Sequence, residues 1–74
     1  MSQINIFSAW DAEASVWVVL NSDVPGLATE APTLDELVKK LKCMIPELLE
    51  LNGRTHDREI PFKLVSEVEE LAYC

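Results

Sequence analysis

The chain has 74 residues, with 13 acidic and 6 basic side chains, a formal charge of -7 and a pI near 4.4. That length holds a single domain, residues 1–74, and an acidic surface disfavours phosphate backbones, so direct nucleic-acid binding is not expected. Two cysteines, Cys43 and Cys74, with the lone His56, give neither a disulfide framework nor the spacing of a structural zinc. No segment approaches the roughly 20 apolar residues of a membrane span. Met1-Ser2-Gln3-Ile4 has no basic n-region and begins no signal-peptide core. A cytoplasmic protein with free thiols, away from membranes, is the expectation.

The first predicted strand is Ile4 to Trp10, with Ile4, Ile6 and Trp10 on one face and Phe7 and Ala9 on the other. Asp11-Ala12-Glu13-Ala14 has the length of a four-residue hairpin loop. A second strand follows over residues 15 to 22, where Val16, Val18 and Leu20 alternate with Trp17 and Val19. Asp23-Val24-Pro25-Gly26 reads as a turn, because Pro25 presets φ and Gly26 can supply a positive one. Leu27 to Ala31 is then a short third strand, stopped by Pro32, which removes a ladder donor.

Thr33 with Glu36 three residues on forms a capping box at a helix start. Leu34, Leu37, Val38, Leu41, Met44, Ile45, Leu48 and Leu49 make one broad apolar stripe at helical spacing. Asp35–Lys39 and Glu36–Lys40 are favourable pairs on the opposite side. Pro46 lacks an N–H and crowds the carbonyl of Lys42, so a kink or restart is expected there, before Asn52-Gly53 ends the helix. Residues 54 to 59 are polar and read as a loop. Ile60 to Val68 is a last strand, with Ile60, Phe62 and Leu64 on one face, and the tail to Cys74 fits either a strand extension or a frayed end.

The order is strand, strand, strand, helix, strand. A meander followed by one helix leaves the last strand to lie parallel to the first. The fold class is therefore α+β, with sheet order 3-2-1-4, which is a partial ribonuclease-H-like topology. Enzymes of that topology need carboxylates converging on divalent metals about 3.5–4 Å apart. Here Asp11, Glu13, Asp23 and Glu30 fall in turns and at strand ends, and none lies inside the first strand. They read as turn and edge residues, and neither a catalytic residue nor a metal or other cofactor is expected. His56 sits in a polar loop with no spaced partner that would make it a ligand or base. Cys43 reads as a buried or half-buried structural thiol, although Lys39, Lys40 and Lys42 nearby could lower its pKa. That lysine trio reads as a solvated helix face.

The strands are apolar on both faces, yet one helix covers only one. The second face needs a cover of its own. Self-association into a homodimer or larger assembly would supply one and would also stabilise so small a core. A basic protein partner is the electrostatic complement of the charge. Phe7, Trp17 and Val19 are the candidate partner-binding residues on the second face, with Trp17 weighed against an ordinary core position.

Three stretches together, Trp17-Val18-Val19, Asp23-Val24-Pro25-Gly26 and Ala31-Pro32-Thr33-Leu34-Asp35-Glu36-Leu37, resemble the HicB-like antitoxin fold. The Trp10-Asp11-Ala12-Glu13-Ala14 hairpin is similar to that of its short, stand-alone bacterial members. The resemblance covers residues 4 to 53. It implies a non-catalytic, protein-binding module that masks a small basic RNA-cleaving toxin of the HicA-like kind, or an orphan homologue of such an antitoxin. Many HicB-like proteins carry a further DNA-binding domain, for which this sequence has no residues, so repression of its own operon is not expected. Two other readings stand beside it: a homo-oligomeric accessory domain without a toxin, and a metal-dependent nuclease of the same topology.

Overall fold

Alternation of β-branched and aromatic residues produces two long strands, β1 (Ile4–Asp11) and β2 (Val16–Ser22), paired antiparallel. The computed structural model describes residues 3–54 and 59–73. Asp11 closes the hairpin, its Oδ1 accepting from the N–H groups of Glu13 (3.0 Å) and Ala14 (3.2 Å). Ser15, expected to open the second strand, instead takes a left-handed φ of 56° and belongs to the loop. At the far end of β1, Asp23 Oδ2 accepts from the Asn5 backbone N–H at 2.8 Å, and the Asp23 N–H donates to the Asn5 carbonyl at 3.1 Å.

The Pro-Gly turn has Pro25 at its second position, as expected. Leu27 N donates to the Val24 carbonyl at 3.2 Å, so Pro25 and Gly26 are the two central residues, and Gly26 has φ 82°. Positive φ at the third position of a turn is the type II requirement that glycine meets without strain. The third strand, β3 (Glu30–Ala31), is only two residues long. Val24 and Leu27 are buried instead of pairing, so this stretch serves the core more than the sheet.

Helix α1 (Leu34–Leu51) starts where the capping box placed it, with Thr33 Oγ1 accepting from the Glu36 N–H at 3.1 Å. It runs through Pro46 without a restart. Leu37, Leu41, Ile45 and Leu49 are all buried, so the stripe on both sides of the proline is anchored to the sheet, and that packing outweighs one missing hydrogen bond. Gly53, with φ 71°, ends the helix. Its N–H donates to the Glu50 carbonyl (3.0 Å) and that of Arg54 to Leu49 (2.9 Å), which is the Schellman pattern. The Asn52 side chain donates to Pro25 O at 3.2 Å and so ties this end to the Pro-Gly turn. Lys40, expected to pair with Glu36, donates from Nζ to the Glu30 carbonyl at 2.6 Å.

The final strand, β4 (Phe62–Glu67), is shorter than the expected Ile60 to Val68 and lies parallel to β1. The four-stranded sheet has the order β3-β2-β1-β4, the expected α+β arrangement. The core lies between α1 and one face of this sheet, around Ile6, Val24, Leu27, Ala31 and the four buried helix residues. Among the described residues no helix is long and apolar enough to cross a membrane.

Candidate protein-interaction face

Directly paired residues of neighbouring strands share a face, so the register assigns every side chain of the sheet. Trp10 pairs with Trp17, Ser8 with Val19, Ile4 with Phe62, Ile6 with Leu64 and Trp17 with Ala31. This is the helix face: Ile6 and Ala31 are buried, and Ile4, Trp17, Val19, Phe62 and Leu64 pack against the core. The Trp10 and Trp17 rings meet with centroids 5.3 Å apart at a tilt of 59°, within the range favoured by aromatic pairs. Ser8, 2% exposed, is the buried polar residue of this face, and its Oγ lies 2.7 Å from Ser66 Oγ on β4.

The opposite face carries Phe7, paired with Val65, and Ala9, paired with Val18, with Val16 alongside. The described helix lies entirely on the other side. Phe7 is 43% exposed and Leu20 69% exposed, while Ala9, Val16, Val18 and Val65 are half-buried by their neighbours in the sheet. Charged residues sit around this apolar strip: Glu30 beside Val18, Glu67 beside Ala9, Asp11 beside Val16, and Lys63 beside Asn5. Three of these four are acidic.

Phe7, Trp17 and Val19 therefore do not share a face. Phe7 stays on the uncovered side; Trp17 and Val19 turn inward to the core. The physical reason is the hairpin. From Ser8 to Asp11 its register pairs even-numbered residues of β1 with odd-numbered residues of β2, which puts Trp17 beside Trp10 and not beside Phe7. A shift between Phe7 and Ser8 then leaves Leu20 as the extra residue of β2, at a bulge, and its side chain is 69% exposed. Val65, on the last strand, joins the uncovered face through its pairing with Phe7. Its alternation with Leu64 was the signal available in the sequence.

The carboxylates are dispersed. Asp11 and Asp23 satisfy backbone N–H groups at opposite ends of β1. Among the described residues no three His, Cys, Asp or Glu side chains gather closely enough to hold a metal ion. Cys43, expected to be at least half buried, is an exposed free thiol, because it points away from the Leu41–Ile45 stripe. His56 and Cys74 lie outside the described residues.

The fold is shared with a solved protein. The chain is 46% identical to the hypothetical protein TTHA1013 of the extremely thermophilic bacterium Thermus thermophilus, known from a crystal structure. The match has a TM-score of 0.72 and covers 99% of this chain and 100% of that one. No curated protein matches the chain. The model of a domain of unknown function, DUF1902, matches residues 3–73, nearly the whole length, and the chain belongs to that family.

Proposed function

We propose that this domain is a non-catalytic protein-binding module of the antitoxin type, which uses its uncovered sheet face to mask a small basic protein in the cytoplasm. The observation that carries this reading is the apolar strip of Phe7, Ala9, Val16, Val18, Leu20 and Val65, edged by Asp11, Glu30 and Glu67. An apolar centre within a polar rim is the common anatomy of a protein interface. The charge of -7 draws a basic partner and repels nucleic acid. The HicB-like resemblance of residues 4 to 53 supplies the class of partner, a small RNA-cleaving toxin. Phe7, on the open face, is the aromatic anchor, and Trp17, packed against the core, is not.

The test pairs the tagged chain with a Phe7→Asp variant in extracts of its own organism. The reading expects a small basic protein on the wild type alone, with RNA cleavage by that protein suppressed when the wild-type domain is added back. Capture of nucleic acid, equal capture by the variant, or magnesium- or manganese-dependent cleavage by the domain itself would each overturn it. Salt should slow association while leaving much of the affinity, because screening acts on the long-range term.

A further inference from the structure

A second surface lies on the helix side, away from the uncovered sheet face. Trp10, Trp17, Pro32 and Leu34 line an open groove of about 490 Å³ between the tryptophan pair and the start of α1, with Val68 and Glu70 along its rim. The groove wall is mostly apolar, and neither tryptophan is fully buried.

Beyond Val68 and Glu70, the segment that leaves this rim packs on little of its own chain. β4 ends at Glu67, opposite Ala9, and β1 ends two residues later at Asp11. The sheet therefore offers a partner for at most two further residues, and residues 68–73 form neither strand nor helix and are exposed throughout. Their composition is not that of a solvated linker. Val68, Leu71 and Tyr73 are 53%, 78% and 86% exposed. The molecule is correspondingly long, 52 × 21 × 18 Å. The family match runs to residue 73, so this arm is part of the domain.

We propose that the arm of one copy docks in the Trp10–Trp17–Pro32–Leu34 groove of a second copy, in a reciprocal two-fold exchange. Three features select a second copy as the occupant. Each chain brings one unfilled apolar groove and one unsupported apolar arm, so a two-fold contact satisfies both in both chains with the same set of interactions. The arm is rooted at the rim of its own groove, through Val68 and Glu70, so a two-fold axis there brings the two grooves together and the crossing is short. Six extended residues reach about 20 Å, enough to cross into the facing groove. The exchange leaves the open sheet face free, and it stands whether or not that face binds a basic protein.

Charge gives the contact its signature. Both copies carry -7 and the arm itself holds Glu69 and Glu70, so added salt should tighten this association, the reverse of its effect on a basic partner. Sedimentation equilibrium of the full chain should show a dimer that strengthens between low and high salt. Leu71→Asp/Tyr73→Asp alters only exposed side chains, so circular dichroism should be unchanged. It should raise the dimer dissociation constant by about 100-fold or more and shift tryptophan emission to the red as the groove is uncovered. Leu34→Glu, a charge at the groove wall, should also give monomers. Mixed with the arm variant it should form hetero-pairs, because one intact arm and one intact groove remain. A monomeric wild type, an arm variant that dimerises normally, failure of the two variants to pair, or a dimer abolished by Phe7→Asp would overturn the proposal.

Discussion

Phe7 and Trp17 differ by ten positions and by one face of the sheet, and truncating each to alanine separates packing from binding. Trp17 touches the core, pairs across the strand with Ala31, and meets the Trp10 ring at 5.3 Å in a tilted contact. Removing a large buried aromatic side chain costs about 3–5 kcal/mol. Trp17 is only half-buried, so about 2–4 kcal/mol is expected, including the part held by the aromatic pair. A domain of this length has about 4–11 kcal/mol in total; Trp17→Ala therefore brings it close to unfolding. Phe7 is 43% exposed and lies between Asn21 and Val65 of the neighbouring strands. A full burial would be worth about 1.5–3 kcal/mol, so roughly half of that, about 1 kcal/mol, is expected for Phe7→Ala. Urea unfolding monitored by circular dichroism measures both. Equal costs for Phe7→Ala and Trp17→Ala would mean that something in the isolated chain already covers the open face, and would refute the assignment of the two faces. So would an unchanged midpoint for Trp17→Ala.

Ser66→Ala should cost about 1–3 kcal/mol, because it leaves the hydroxyl of Ser8, 2% exposed, without the partner 2.7 Å away. The double variant Ser8→Ala/Ser66→Ala should recover most of that loss, and a double-mutant cycle in urea that shows simple additivity would contradict it. Thr33→Ala removes the acceptor of the Glu36 N–H and should destabilise the domain by about 0.5–2 kcal/mol, read as a lower thermal midpoint. Gly26→Ala should destabilise by about 1 kcal/mol or more, because φ 82° strains any side chain although its Cβ would have room 3.9 Å from Leu48; an unchanged midpoint would mean that the turn has relaxed to another type.

Several local signals were legible in the residues. The Thr33–Glu36 cap, the apolar stripe from Leu37 to Leu49, the Asn52-Gly53 stop and the strand-strand-strand-helix-strand order depend on neighbours within a few positions, and each appears where the sequence puts it. The excess of apolar strand residues also told truly that one sheet face would lack a cover within the described residues. Which residues occupy that face was another matter. Alternation tells the two faces of a strand apart but does not say which face of one strand joins which face of the next, and a shift of one residue exchanges them all. The hairpin register sent Trp17 and Val19 to the core, and β4 brought Val65 to Phe7 from nearly sixty residues away. The same holds for Pro46 and for the shortened β3. Proline disfavours a helix interior, and β propensity favours a strand over Leu27 to Ala31, yet burial of Ile45 and Leu49 against the sheet and of Val24 and Leu27 in the core decided both. Those contacts are long-range, and only the folded chain brings their partners within reach.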